Sequence, residues 1–326
     1  MKRGAEAEMV PEAEFRSYYG RPILKIPRWK APHLPAYLYL GGLSGASAVM
    51  GAAAAVTGRR ALARAGRVTA AAAAMGGTGF LVAELGRPER FLHMLRVAKP
   101  TSPMSMGSWL LAAHSALAGA AAGSDLTGVA PGLGATAGAA SALTGPLLAT
   151  YSAVLLADTA VPAWHEAYRE LPFLFAGSAL ASAGAAGLAA TALSQGADRG
   201  PAARMAVLGA ALELAAAVQL ERGMGLTAET YQQGEAGQMM RAARWLTPAG
   251  AVAALAARRS RAAALAAAGL LTAGAVATRV GVFKAGPASA ADPKYVIASQ
   301  RATTSRNWRR FPPAPAGAGG GGQSSR

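Results

Sequence analysis

Apolar positions along this chain fall in long blocks, not at the spacing of a one-sided helix. Blocks such as 36–57, 67–85, 107–123 and 170–194 hold few or no charges. Stretches of about 17–25 residues cross a hydrocarbon core of roughly 30 Å at about 1.5 Å per residue. The pattern predicts eight spans, near 36–57, 67–85, 107–123, 131–157, 170–194, 202–220, 239–257 and 262–282. The seventh is the weakest, because Arg241 and Arg244 sit in its first turn and Pro248 follows. The fourth is long and carries Gly145-Pro146 at its centre, where Pro146 has no N–H for the carbonyl of Ala142 and a kink is expected. The expected fold class is an all-α integral membrane protein, eight transmembrane helices in one bundle.

The flanks read differently. Residues 1–35 form a polar N-terminal segment with five prolines between Pro11 and Pro35, and 36–285 form the transmembrane domain. Residues 286–326 form a C-terminal tail, expected to be disordered from about 312, where the chain reads PPAPAGAGGGGQSSR. A cleavable signal peptide needs its apolar region close to the start, so none is expected, and the first span itself directs insertion. Eight spans put both ends on one side, which also collects more of the Lys and Arg. The count leans toward cytoplasmic ends, against the pull of Arg59, Arg60, Arg64 and Arg67 in one opposing connection and Arg258, Arg259 and Arg261 in another. The expected location is the plasma membrane, as a multi-pass protein.

Composition narrows the chemistry. The net charge is +16, but the cations cluster in short connections and tails, a pattern of topology and anionic lipid and not of nucleic-acid binding. With no cysteine, the chain holds no disulfide and no thiolate-bound iron–sulfur cluster. Of its four histidines only His114 lies well inside a span, too few at one depth for a bis-histidine haem. A chain of this kind that handles electrons borrows its metal centres from a partner.

One connection is dense with polar groups: LGRPERFLHMLRVAKPTSPMSMGSW, residues 85–109. Pro88 can open a short helix that Pro100 stops, with Phe91, Leu92 and Leu95 toward lipid or protein. Ser102-Pro103 makes a cap and first residue for the next span. On physical grounds alone this is a well-capped, lipid-anchored loop.

The same stretch resembles the connection after the second span in the NrfD/PsrC family of polysulfide-reductase-type membrane anchors. Other segments agree in order: YLYLGGLSGAS at 37–47, YSAVLLADTAVPAWHEAYRELPFLFAGSALAS at 151–182, LGAALELAAAVQLERGMG at 208–225 and FKAGPASAADPKY at 283–295. The resemblance spans roughly residues 30–300. It implies an eight-helix subunit that binds a quinone, menaquinone or ubiquinone, and exchanges electrons with a ferredoxin-like iron–sulfur subunit. That subunit serves a molybdopterin catalytic subunit, with a formate-dehydrogenase-like partner preferred over a polysulfide-reductase-like one. The chain is then a quinone-reactive electron-transfer anchor, non-catalytic alone. The polar loop becomes a docking surface and the roof of the quinone pocket.

The resemblance places a quinone-bonding tyrosine at Tyr151, where a neutral phenol donor suits an apolar pocket; a packing tyrosine is the alternative. His33, with Tyr37 one turn on, can donate to a quinone carbonyl and supply a proton, or simply anchor a helix end. His93 and Ser105, in and just after the polar loop, complete the candidate quinone set. Glu84, Asp158, Glu213 and Arg279 are ionisable groups within or at the edges of spans, where charge marks either a proton path or a buried pair. Glu213 is the deepest, and a Glu213–Arg279 ion pair is its structural alternative. Arg87, Arg90, Arg96 and Lys99 suit carboxylates on a partner or lipid phosphates. Trp109 and Trp164 read as interfacial anchors. Two other functions compete: a secondary transporter or ion-translocating bundle, and a structural anchor without a quinone site. No internal repeat with paired broken helices supports the transporter.

Overall fold

A computed structural model describes residues 22–194 and 196–297. The start of the N-terminal segment and the tail expected to be disordered from 312 lie outside the described residues. The described residues fold into eight long helices and a few short turns, with no strand among them. The long helices are α1 (His33–Val56), α2 (Arg60–Glu84), α3 (Pro103–Thr127), α4 (Pro131–Ala157), α5 (Leu171–Leu193), α6 (Gly200–Gly223), α7 (Gly234–Ala256) and α8 (Arg261–Ala291). Five of them, α1, α4, α5, α6 and α8, are long and apolar enough to cross a membrane. The other three match the remaining predicted blocks, α2 and α7 with several arginines on the helix. The architecture is an all-α membrane bundle.

Helices pair with their chain neighbours as α1–α2, α3–α4, α5–α6 and α7–α8. Two sit at the centre: α1 touches α2, α4, α5 and α8, while α5 touches α1, α4, α6 and α8. Small residues make this possible, because without a hydrophobic drive between helices in lipid, close van der Waals approach holds the bundle together. One close approach is where α1 crosses α4: a Cβ at Gly45 would overlap the Gly145 backbone, and one at Gly145 would overlap Gly45. Pro146 follows that crossing inside an unbroken helix. On the face of the missing N–H, Thr150 Oγ1 donates to the Pro146 carbonyl at 2.8 Å.

Boundaries differ from the sequence reading at polar ends. α2 begins at Arg60, a turn or two before the apolar block, because its arginines lie on the helix and one of them, Arg67, pairs with Asp125 at 2.5 Å. α7 begins at Gly234 and carries Arg241 and Arg244 within it, and α8 continues to Ala291 through Pro287. Arg244 is paired with Glu221, and Trp245 beside it is exposed, the placement of an interfacial anchor. Trp109 is also exposed.

Trp164 is not an anchor, which corrects the sequence reading. It is fully buried in the short helix Pro162–His165, its indole N–H donates to the Val282 carbonyl at 2.7 Å, and it stacks on Trp29 at 5.4 Å. Tyr231 donates to the Ala163 carbonyl at 2.9 Å, and burial pushes its phenol pKa up. Lys294 closes the same end, its ammonium 2.6 Å from Glu229 and holding that carboxyl below its usual range. That pairing favours the fold above the carboxylate range and is lost as pH falls through the depressed value.

We expect all eight long helices to span. Reporter fusions in the successive connections of the full chain should alternate in location, with both ends on one side; ends on opposite sides would contradict the count.

Candidate functional site

Four helix ends meet where the polar connection returns to the bundle: the starts of α1 and α3 and the ends of α2 and α4. His33 opens α1 and Glu84 closes α2. The imidazole Nδ1 stands 3.3 Å from Glu84 Oε2, while Glu84 Oε1 accepts the Lys30 N–H at 2.8 Å. Phe80, one turn earlier on α2, holds its ring 6.2 Å from that of His33. The sequence placed His33 and Glu84 in separate sets; the fold makes them a carboxylate–imidazole pair.

Tyr37 lies one turn deeper on α1, buried, with a hydroxyl that finds no partner among the described residues. It belongs to an apolar cluster with Leu34, Leu38, Leu111 and Leu148. Tyr151 packs half-buried against the same cluster, and its hydroxyl finds no side-chain or backbone partner among the described residues. The Tyr151 ring fills the space that a side chain at Gly107 would need. Gly107 was not singled out from the sequence, although a glycine in the second turn of a well-capped helix is a sign of close approach.

Ser105 has a local job. Its hydroxyl donates to the Val97 carbonyl at 2.9 Å and accepts the Lys99 N–H at 3.0 Å, which ties the polar connection down onto α3. Ser102 caps α3 by accepting from the Ser105 N–H, with Pro103 at the first helical position, as the sequence predicts. The short helix Arg90–Met94 carries His93, which is exposed. Arg87, Arg90, Arg96 and Lys99 are all exposed, and none is in an ion pair among the described residues. Asp158, just past the end of α4, is exposed as well.

The deep charges sit elsewhere, between α5, α6 and α8. Glu213 is buried, and Thr278 donates to its Oε1 at 2.6 Å. Arg279 is buried too, but it turns away: Nη2 donates to the Phe175 carbonyl at 2.9 Å and the guanidinium lies 3.7 Å from the Phe175 ring centroid. No Glu213–Arg279 ion pair forms among the described residues, so a direct pair does not account for either group. Glu213 Oε2 and Thr247 Oγ1 are both left without a partner. Both residues line a cavity of about 140 Å³ between α6, α7 and α8, with the Arg244–Glu221 pair also on its wall. Buried polar atoms without partners on the wall of a cavity are where internal water belongs.

His114 has both ring nitrogens engaged, with Ser44 Oγ at 3.0 Å and Thr144 Oγ1 at 2.9 Å. It acts as a three-helix tie between α1, α3 and α4. No cluster of three metal-ligating side chains occurs among the described residues.

The cluster at the helix ends therefore brings together two phenols that have no partner among the described residues, a packed apolar core and an acid–imidazole pair. That combination suits a neutral, largely apolar ligand whose polar atoms accept hydrogen bonds and take up protons. Residues 26–120 match the family model described as polysulphide reductase, NrfD. The matched stretch holds α1, α2, most of α3 and the whole polar connection, and it bears out the NrfD/PsrC resemblance. No curated protein matches the chain.

Proposed function

Starting from the NrfD signature in residues 26–120, we propose that this membrane protein is the quinone-reactive anchor of an oxidoreductase complex. It binds menaquinone or ubiquinone at the helix-end cluster and exchanges electrons with an iron–sulfur partner that serves a molybdopterin subunit of the formate-dehydrogenase or polysulfide-reductase kind. The observation that carries this reading is the unpartnered Tyr151 hydroxyl beside the apolar cluster that also holds Tyr37. A half-buried phenol with no protein acceptor among the described residues is free to donate to a ligand carbonyl.

A quinone bound there supplies a two-electron, two-proton couple. Tyr151 would donate a hydrogen bond to a ring carbonyl, with the packed apolar core of Leu34, Leu111 and Leu148 behind it keeping water from that side. His33, with its Nδ1 3.3 Å from the Glu84 carboxylate, would pass a proton between the site and the aqueous side. Arg87, Arg90, Arg96 and Lys99 present a cationic face to acidic groups on the partner, and the Ser105 hydrogen bonds hold that face in place. His93, exposed beside these cations, is a further proton donor at the rim. Glu213 accepts protons from water in its own cavity, the position that makes it, with Arg279, the second ionisable centre of the bundle.

Glu84→Gln tests the pair. The amide keeps an acceptor for the Lys30 N–H but removes the charge that steadies His33. In the assembled complex, substrate-to-quinone turnover should fall by about tenfold, less than a full general-acid contribution because water reaches this rim. Reduction of a soluble dye by the partner should stay unchanged. Equal loss of both activities would mean that Glu84 only holds the fold together.

A further inference from the structure

The opposite end of the bundle carries a second feature that the quinone reading does not use. Arg204 on α6 and Arg258 just after α7 converge at the start of α6. A Cβ at Gly200 would stand 3.0 Å from Asp198 Oδ1, 3.4 Å from Arg204 Nη1 and 3.6 Å from Arg258 Nε, so two guanidinium groups and one carboxylate share one small space. Neighbouring arginines are already engaged: Arg199 Nη1 donates to the Ala257 carbonyl at 3.4 Å and Arg261 Nε to the Ala192 carbonyl at 2.7 Å. Arg204 and Arg258 are both exposed and in no ion pair among the described residues. The one carboxylate close by is Asp198. Its Oδ1 accepts the Gly200 N–H at 2.8 Å and its Oδ2 stands 3.4 Å from Arg59, so its charge is already shared. The backbone N–H of Gly200, then Arg59, and also the charge of Arg258, hold that carboxyl below its usual range and keep it anionic.

Below the two arginines a groove of about 400 Å³ runs between α6 and α7. Its walls are Ala203, Val207, Leu208 and Leu255, and both leucines face outward, 67% exposed. Asp198 is a single carboxylate facing Arg59, Arg204 and Arg258, so the end of the apolar slot keeps an excess of positive charge that a further anion would offset. A small soluble anion would satisfy the arginines but leave the slot unfilled. An amphiphile with an anionic head fills both, and basic pockets between transmembrane helices take such headgroups.

We propose that the groove between α6 and α7 is a binding site for an anionic phospholipid, its phosphate held by Arg204 and Arg258 and an acyl chain lying along Val207, Leu208 and Leu255. This site is independent of the quinone reading. Electrostatics selects the headgroup, and apolar contact with the slot selects a lipid over free phosphate.

Native mass spectrometry of the full-length chain, loaded with phosphatidylglycerol or phosphatidylcholine, tests the site. The native chain should retain phosphatidylglycerol over phosphatidylcholine by about tenfold. The Arg204→Gln, Arg258→Gln double variant should lose that preference, while Arg259→Gln keeps it. Leu208→Trp fills the slot with both arginines intact, and it should also lose the bound lipid, which guards against misfolding of the double variant. Glycerol phosphate, the soluble headgroup, should not displace the lipid. A preference retained in both variants, equal retention of the two lipids, or full displacement by glycerol phosphate would overturn the proposal.

Discussion

Tyr151→Phe should lower substrate-to-quinone turnover of the assembled complex by about 10²-fold while leaving substrate-to-dye turnover as it was. The substitution removes one oxygen and keeps the ring that fills the space beside Gly107. Packing against the apolar cluster therefore survives, and no hydrogen bond within the described residues is lost. If the hydroxyl served only quinone affinity, the loss would be about 0.5–1.5 kcal/mol, a several-fold change in KM. A donor aimed at the oxygen where charge develops contributes more, and it appears in kcat. The ratio of the two activities in one preparation separates the pocket from the partner's own active site. An unchanged ratio would make Tyr151 a packing residue.

Gly107→Ala should have an effect of the same order through geometry alone. Its new Cβ would occupy the place of the Tyr151 ring, so the ring must move although its hydroxyl remains. Displacing a positioned donor by about 1 Å costs on the order of 10²-fold in rate. Turnover with quinone should fall about that far, the complex should still assemble, and dye reduction should persist. Combining Gly107→Ala with Tyr151→Phe should add little, because both remove the same hydrogen bond. Additive losses would mean that Gly107 supports the fold by some route other than Tyr151.

The helices were readable in advance because lipid requires long apolar stretches, and no tertiary knowledge is needed to find them. The Ser102-Pro103 start of α3 was equally plain, since a cap is local. Boundaries were less so: α2 and α7 carry arginines whose partners, Asp125 and Glu221, lie on other helices. Trp164 was misread for a similar reason. A tryptophan near a span end has the same local sequence whether it faces headgroups or a glycine on a helix more than 100 residues away, and here Gly286 makes the room. His33 and Glu84 were each visible as polar residues at span ends, but their pairing exists only once α1 and α2 fold back on one another. Glu213 and Arg279 invited an ion pair on charge alone. Thr278 and the Phe175 carbonyl take the two groups instead, a competition between near neighbours that charge counting does not resolve.

The central claim is a quinone held at the α1, α2, α3 and α4 ends. Photolabelling of the full-length chain with a photoreactive quinone analogue, followed by peptide mapping, tests it most directly. Label that excess native quinone displaces should fall on the start of α1 around His33 and Tyr37, on residues 85–109 and on the segment around Tyr151. Displaceable label confined to α5 through α8, or no displaceable label at all, would contradict the account.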